Sequence, residues 1–186
     1  MRIAAAVAVA CVALCSPSAR ADEGGFTITR YGVVIDARRD NTYDVTETIT
    51  VSFSQERYGI YRDIPLRFGD NRAAVTGVST HGHPVVIEKR PDRIRLKIGD
   101  PNRAVTGEQV YSIRYTLNLG RDQSDSEDVV YLNLIGAYWD APIEEAEFSV
   151  RLPAAPEPGQ AALVRGKEGS TSSAHILWQI GDDFRD

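Results

Sequence analysis

Apolar and polar residues alternate along most of the chain. Between residues 43 and 53 the odd positions are mostly aromatic or β-branched, whereas the even positions carry threonine, serine or aspartate. This period of two is typical of a strand with one face in the core and the other in water. The same alternation predicts further strands at Phe26–Ala37, 75–80, Val85–Lys89, 94–98, 111–117 and 146–152.

Turn-forming residues separate these segments at intervals of about ten residues, in clusters such as HGHP, RPD and GDPN. Short strands with one apolar face each, and no stretch with a 3.6-residue period, predict an all-β fold. We expect an antiparallel two-sheet β-sandwich of Greek-key type, with a closed barrel as the alternative.

The later part of the chain changes character. Residues 129–135 are nearly all apolar, which predicts a central strand covered on both faces. After residue 153 the sequence begins PAAPEPG and holds only short apolar pieces. We interpret residues 22–153 as the β-sandwich domain and residues 154–186 as a Pro/Gly-rich linker with short edge strands.

Residues 1–21 predict a secretory signal peptide. Arg2 precedes an apolar run of 13 residues, and a small-x-small cleavage sequence follows at 19–21. As a helix this run would reach only about 20 Å, short of the roughly 30 Å hydrocarbon core. A lipoprotein signal with Cys15 as the lipidated residue is the alternative, although bulky Leu14 is atypical before such a cysteine. Export places the protein in the periplasm or outside the cell.

Removal of the signal peptide changes the charge and the cysteine content of the chain. The 186 residues, 42% hydrophobic and 25% charged with a net charge of −5, are those of an ordinary globular protein, and the acidic balance argues against a nucleic-acid partner. Cleavage after residue 21 removes both cysteines, Arg2 and Arg20, leaving 19 basic and 26 acidic side chains, a net of −7. The mature chain then has no thiol chemistry and no apolar run long enough for a transmembrane helix.

Two segments break the alternation, YGIYRDIP at 58–65 and NLIGAYWDAPI at 133–143. The first of these, the preceding strand DVTETITVSF, the stretch IGDPNRAVTGEQVYSIRY and the segment WDAPIEEA resemble, in this order, a known family. It is the extracytoplasmic N-terminal domain of the bacterial predicted membrane proteins grouped as domain-of-unknown-function family 2207. The resemblance covers roughly residues 26–153.

The resemblance implies a β-rich domain outside the cytoplasmic membrane, usually followed by membrane-spanning helices and without an established activity. This sequence ends at Asp186 without such a helix, so we expect either a secreted stand-alone version or a truncated chain. The expected partner is a membrane or envelope component, and no cofactor is expected.

Glu47 is the one charged residue on the apolar face of its strand. An unpartnered buried carboxylate costs several kcal/mol, so a partner is needed. Arg62, in YGIYRDIP, can hold Glu47 in a bidentate pair and thereby fix this segment across the sheet. Exposure of Glu47 to solvent and a ligand-binding role are the alternatives.

The distinctive segments also indicate a function, a non-catalytic binding or structural module. Aromatic and charged residues of both segments could form one surface at the end of the sandwich. The candidate surface residues are Tyr58, Tyr61, Arg62, Asp63, Tyr138, Trp139 and Asp140. The alternative is an envelope polysaccharide- or peptide-acting hydrolase that uses paired carboxylates, with Asp63, Asp140 and Glu144 as candidates.

Other candidate sites have simpler interpretations. His81 and His83 alternate in a turn-like segment without an evident third ligand, so they predict exposed imidazoles rather than a metal site. An acidic loop lacks the spacing of a calcium-binding EF-hand and predicts a solvated loop. A basic stripe predicts protection of an edge strand, or contact with anionic lipid or cell-wall polymer. The loop residues are Asp122, Asp125, Glu127 and Asp128, and the stripe residues are Arg90, Arg93, Arg95 and Lys97.

Overall fold

A computed structural model describes residues 7–12, 25–68, 71–120, 129–132, 134–136, 138–154 and 162–165. These residues form thirteen strands. The described residues include no helix that is long and apolar enough to cross a membrane. In chain order the strands are β1 (Val7–Val12), β2 (Phe26–Ala37), β3 (Thr42–Arg57), β4 (Ile60–Pro65), β5 (Arg67–Phe68), β6 (Asn71–Arg72), β7 (Ala74–His81), β8 (Val85–Lys89), β9 (Arg93–Ile98), β10 (Val105–Asn118), β11 (Val129–Leu132), β12 (Ala146–Arg151) and β13 (Ala162–Arg165).

The larger sheet has five strands in the order β12-β2-β3-β10-β7. Its central strand, β3, is 16 residues long and pairs antiparallel with β2 on one side and β10 on the other. Alternate residues of β3 are buried, as the sequence pattern predicts. These are Val45, Glu47, Ile49, Val51 and Phe53.

A smaller sheet in the order β4-β9-β8 faces the larger one. Ile60 and Ile64 of β4 and Leu96 of β9 are buried in the same hydrophobic cluster as the inner residues of β2, β3 and β10. Two sheets that share one core form a sandwich. The prediction of an all-β fold with two sheets is therefore confirmed, whereas Greek-key connectivity stays a prediction. The short strands β5 and β6 pair with each other.

The segment 58–65 is not irregular as expected, because residues 60–65 form strand β4. Its inward positions are Ile60, Arg62 and Ile64, and all three are buried. A charged residue between two isoleucines hides the alternation by which a strand is recognised in sequence.

The prediction of a purely antiparallel sandwich is wrong at one edge. Strand β12 runs parallel to β2. The chain before β12 already follows β2, because the Ile28 amide donates to the Pro142 carbonyl and the Glu144 amide donates to the Ile28 carbonyl. The chain therefore enters β12 in the same direction as β2.

The prediction of a central strand at 129–135 is also wrong. Strand β11 ends at Leu132 and lies at the edge of a three-stranded parallel sheet, β11-β1-β13. Leu134 and Ile135 follow the strand and are buried in the main core. The apolar run thus has two roles, a short edge strand followed by a segment that closes the core.

Strand β1 lies inside the segment predicted as a signal peptide, and it pairs with β11 and with β13. Cleavage after residue 21 would remove the strand that both neighbours share. Signal-peptide cleavage and the domain boundary at residue 153 stay predictions.

Two glycines allow β4 and β9 to meet closely at one end. Gly59 precedes β4 and Gly99 follows β9, and their φ angles are 135° and 139°. A Cβ at Gly59 would overlap the Ile98 carbonyl, and a Cβ at Gly99 would overlap the Tyr58 carbonyl. Only glycine combines this backbone geometry with this approach.

We expect Gly59→Ala and Gly99→Ala each to lower the free energy of unfolding by about 3 kcal/mol or more, because an opposing backbone must move. Gly82→Ala is the matched control, since Gly82 has a φ of 76° but no atom within 4 Å of the added Cβ. The control should lose only about 1–2 kcal/mol, from φ alone. Urea unfolding followed by circular dichroism measures all three, and equal losses would contradict the packing explanation.

Candidate functional site

The interior of the sandwich contains an ion pair between β3 and β4. Arg62 donates from Nε to Glu47 Oε2 and from Nη2 to Glu47 Oε1, each at 2.7 Å. The Arg62 and Glu47 side chains are only 4% and 2% exposed. The contact is a bidentate guanidinium–carboxylate pair that links the two sheets.

Two tyrosine hydroxyls complete the hydrogen bonding of Glu47. Tyr31 on β2 donates to Oε2 and Tyr115 on β10 donates to Oε1, both at 2.7 Å. Val33 and Ile113 are the direct cross-strand partners of Glu47, so the tyrosines are its diagonal neighbours and have the length to reach it. Each carboxylate oxygen therefore accepts one bond from Arg62 and one from a tyrosine.

These contacts keep Glu47 ionised in the core. Burial opposes ionisation, but the charge of Arg62 and the hydrogen bonds from Arg62, Tyr31 and Tyr115 outweigh it and lower the pKa of Glu47. Burial raises the pKa of both tyrosines above the ordinary value, with the Glu47 charge adding to it. The two hydroxyls remain protonated and act as donors.

Residues 134–136 and 138–139 form a segment that packs over the Arg62 guanidinium through Gly136 and Trp139. A Cβ added to Gly136 would overlap the guanidinium, so only a glycine fits there while Arg62 holds Glu47. The Trp139 ring lies 5.7 Å from Arg62 Cζ and meets the Tyr31 ring edge-on. Arg62 Nη1 also donates to the Asp63 carbonyl. The ion pair thus positions this segment as well as β4.

The outer face of the smaller sheet has a regular layout. Tyr61 of β4 lies opposite Lys97 of β9, and Asp63 lies opposite Arg95. Arg93 lies two residues before Arg95, on the same side of β9. Tyr138, from the segment over Arg62, stacks on Arg93. We call these residues the tyrosine–arginine face: Tyr61, Asp63, Arg93, Arg95, Lys97 and Tyr138.

Asp63 and Arg95 form the centre of the tyrosine–arginine face. Arg95 donates from Nε and Nη2 to the two carboxylate oxygens of Asp63, at 2.7 and 2.6 Å. The hydrogen bond from Arg95 lowers the pKa of Asp63 despite partial desolvation. The other side of the Arg95 guanidinium lies 5.3 Å from the centroid of the Tyr61 ring. Arg95 is therefore fixed between a carboxylate and an exposed aromatic ring.

Arg93 is held differently. Its guanidinium lies 4.7 Å from the centroid of the Tyr138 ring. Its Nε is 3.9 Å from Asp63 and 3.8 Å from Asp92, and this buried atom makes no hydrogen bond within the described residues. Tyr138 has a φ of 75°, an unfavourable backbone conformation for a bulky residue. In this conformation the Tyr138 ring stacks on Arg93.

A cleft of about 370 Å³ adjoins the tyrosine–arginine face at its Tyr61 end. Tyr58, Tyr61 and Lys97 line it, together with the polar side chains of Gln55, Glu56 and Arg57. The cleft extends the exposed surface past the end of β4.

The residues expected to form one binding surface are divided between surface and core. Tyr58, Tyr61, Tyr138 and Asp140 are exposed, and Trp139 is partly buried. Arg62 and Asp63 are buried and paired, so they support the surface from below instead of facing a partner freely. The physical reason is that Arg62 points inward from β4, and Asp63 is covered by its arginine neighbours.

The sequence carries no signal for the role of Tyr31 and Tyr115, because tyrosines at inward strand positions look like ordinary core residues.

The prediction that the basic stripe protects an edge strand is wrong. Strand β9 lies between β4 and β8. Arg93 and Arg95 therefore lie on the face of the sheet and not on an open edge.

The other candidate sites can be placed in part. His83 Nε2 lies 3.1 Å from the Val110 carbonyl, and its ring packs on Tyr111. Within the part of the chain that the structure describes, no three His, Cys, Asp or Glu residues group as metal ligands would. The acidic loop at 122–128 lies outside the described residues. Asp140 and Glu144 are exposed, whereas Asp63 is bound to Arg95.

We expect Gly136→Ala to lower the free energy of unfolding by about 2–3 kcal/mol, because the methyl group displaces a guanidinium that Glu47 holds in place. Gly32→Ala is the control, since its Cβ meets only Thr48 at ordinary distances of 3.7 Å and above, and it should be neutral or slightly stabilising. In an Arg62→Met background the cost of Gly136→Ala should fall. An unchanged cost, measured by urea unfolding, would contradict the contact.

We expect stability to fall in acid because of Glu47 and Asp63. Both have a folded pKa below the unfolded value, so their stabilisation is present above the unfolded pKa of about 4 and is lost as pH falls through the folded pKa. Asp63→Asn should therefore reduce the slope of unfolding free energy against pH below about 4. Urea unfolding at several pH values provides the slopes, and equal slopes in wild type and Asp63→Asn would contradict the assignment.

Solved structures with similar chains include the M1 zinc metallopeptidase from Deinococcus radiodurans and native yeast LTA4 hydrolase. Identity is 13% and 15%, with TM-scores of 0.34 and 0.39. The alignments cover 53% and 54% of this chain but only 21% and 17% of those chains. Similarity this low carries no information about activity or ligands. No match is found among curated proteins.

A family match covers far more of the chain. The family described as predicted membrane protein (DUF2207) N-terminal domain matches residues 27–180. This range contains Glu47, Arg62, the tyrosine–arginine face and the segment that packs on both. The chain therefore belongs to the family of predicted membrane protein (DUF2207) N-terminal domains.

Proposed function

We propose that this protein is a non-catalytic extracytoplasmic binding module whose partner, an envelope or membrane component, contacts the tyrosine–arginine face. The observation that carries the proposal is that Tyr61 and Tyr138, 54% and 51% exposed, each stack on an arginine of β9. Tyrosine and arginine are the residue types that most often dominate binding energy at interfaces.

The face is ordered before any partner arrives. Arg95 is held by Asp63, and Arg93 by the Tyr138 ring. Tyr138 itself belongs to the segment that Arg62 and Gly136 fix from below. Side chains already held in place lose little entropy on binding, so this arrangement favours a recognition role. The extracytoplasmic location rests on the signal-peptide prediction and on the family.

A hydrolase with paired carboxylates is the less favoured alternative. A general acid in glycoside hydrolysis needs a raised pKa. The pKa of Asp63 is lowered by Arg95, and both of its oxygens accept hydrogen bonds. Asp63 therefore suits a structural role in the face better than proton donation to a leaving group.

The test is cosedimentation of the full-length chain, exported from a bacterial host, with purified bacterial envelopes. We expect the double variant Tyr61→Ala/Tyr138→Ala to bind at least about tenfold more weakly. Val110→Ala, a change at an equally exposed position on the larger sheet, should bind like wild type. Melting temperatures show whether each variant is folded.

Catalysis is followed in the same samples. We expect no soluble sugar or peptide fragment to be released from the envelopes over time. Unchanged binding by the folded double variant would contradict the assigned face. Fragment release that Asp140→Asn or Glu144→Gln abolishes would favour the hydrolase instead.

A further inference from the structure

Strand β8 is an open edge of the smaller sheet. It pairs with β9 on one side and with no other strand of the described residues. In an antiparallel ladder, alternate residues of an edge strand direct their N–H and C=O groups away from the neighbour, where another extended segment can bond to them. Strand β8 therefore offers backbone donors and acceptors to a further strand.

Apolar residues of β8 are exposed on both faces of the sheet. Ile87 lies opposite buried Leu96 and therefore points toward the larger sheet, yet it is 45% exposed. Val86 points to the outer side and is 58% exposed. Large apolar residues beside an open backbone edge promote aggregation, so native proteins usually cover such an edge. A segment that fits here needs apolar side chains on both of its own faces.

The other edges of the two sheets do not have this combination. On β7 and β12 the inward apolar residues are partly buried, and the outward residues are small or polar. On β4 the inward residues are buried, so the inner side of that edge is already covered. Among these four edges, β8 is the one that exposes apolar residues on both faces.

A segment near the end of the sequence has the matching pattern. Residues 174–180 read AHILWQI and lie outside the described residues. In an extended conformation, Ile176, Trp178 and Ile180 share one face, and Leu177 is an apolar residue on the other. The family match reaches residue 180, so this segment lies inside the matched domain.

The connecting chain is long enough to reach β8. Twenty-four positions separate Arg151, the last residue of β12, from His175, and an extended chain of this length reaches about 80 Å. Crossing the whole larger sheet and the gap to the smaller one takes four strand spacings and one sheet separation, about 30 Å in all. The length is sufficient even though β13 lies on the way.

We infer that residues 175–180 add to β8 as a fourth strand of the smaller sheet, with Trp178 on the inner side and Leu177 on the outer side. A second copy of the chain is a weaker candidate for this edge. Strand β8 has only five residues, and its pairing with another β8 falls short of the roughly 1,200 Å² that a stable interface buries. The inference concerns the edge of the smaller sheet and does not depend on the proposed partner of its outer face.

One register satisfies both faces of the added strand. Antiparallel pairing that places Leu177 beside Val86 also places Ile176 beside Ile87, because opposite residues share a face of the sheet. The same register places His175 beside Glu88, an imidazole next to a carboxylate. Apolar residues thus meet apolar residues, and the polar pair is complementary.

The test follows Trp178 in the full-length exported chain. The chain has two tryptophans, Trp139 and Trp178, so a Trp139→Phe background isolates the emission of Trp178. We expect this emission at a shorter wavelength, and less quenched by acrylamide, in the native chain than in urea, because the indole packs on the inner side of β8.

A substitution on β8 identifies what covers the indole. Ile87→Lys should move the Trp178 emission toward its wavelength in urea, because the edge then meets the apolar face of the segment with a charge. Val110→Lys, at a similarly exposed position on the larger sheet, is the matched control and should not move the emission.

A substitution in the segment gives the reciprocal measurement. Ile176→Lys should accelerate amide hydrogen exchange at residues 85–89 by at least about tenfold, because β8 loses its neighbour. Thr171→Lys, outside the segment, should leave this exchange unchanged. Mass spectrometry measures the exchange, and thermal melting followed by circular dichroism shows that each variant is folded.

Several results would overturn the inference. In folded variants, these are a Trp178 emission that Ile87→Lys does not move and a β8 exchange rate that Ile176→Lys does not change. Faster exchange at residues 146–151 in place of 85–89 would assign the segment to β12 instead. Protection of β8 that rises with protein concentration, together with dimers in sedimentation velocity, would assign the edge to a second copy. Unprotected β8 amides with a solvent-exposed Trp178 would leave the edge to a strand from another protein.

Discussion

The buried contact between Glu47 and Arg62 is the interaction on which the rest of this structure depends. A carboxylate in the core of a sandwich is strongly unfavourable unless a cation and further donors meet it. Here the cation comes from the opposite sheet and the further donors come from Tyr31 and Tyr115 on the strands beside β3. The geometry of four strands is therefore constrained by one side chain. The pair is not necessarily better for stability than an apolar core would be, but removing one partner leaves a buried charge uncompensated.

The same interaction connects the core with the surface. Strand β4 directs Arg62 inward and its neighbours Tyr61 and Asp63 outward, because side chains alternate along a strand. On the other side of the guanidinium, Gly136 and Trp139 rest on Arg62, and Tyr138 beside them reaches Arg93. The segments that distinguish this chain in sequence thus meet in one region. Segment 58–65 supplies Arg62 to the pair and Tyr61 and Asp63 to the tyrosine–arginine face. The later segment places Gly136 and Trp139 against Arg62 and supplies Tyr138 to the face.

Much of this organisation follows from sequence because it is local. The period of two identifies β2, β3, β9 and β10, and it also makes Glu47 conspicuous as a charge among inward residues. The need to neutralise that charge leads to Arg62. The same alternation does not identify β4. Arg62, which neutralises Glu47 of β3, interrupts the run of apolar inward residues in its own strand.

The remaining features depend on contacts distant in sequence. The parallel direction of β12 is set by the path of residues 138–145 beside Ile28, and nothing in the composition of β12 records it. Tyr138 and Arg93 are 45 positions apart in the chain, so their stacking cannot be read from either segment alone. Tyr31 and Tyr115 have ordinary inward positions, and only the register beside Glu47 reveals their role.

A double-mutant cycle on Glu47 and Arg62 tests this account most directly. The free energy of unfolding is measured in urea for wild type, Glu47→Gln, Arg62→Met and the double variant. Each single change should cost about 3–5 kcal/mol, because it leaves a buried group without its partner. The double variant should cost less than the sum by about 2 kcal/mol or more, since the unpaired charge is then absent. Costs that add to within about 0.5 kcal/mol would show that the two side chains act independently, and would contradict the account.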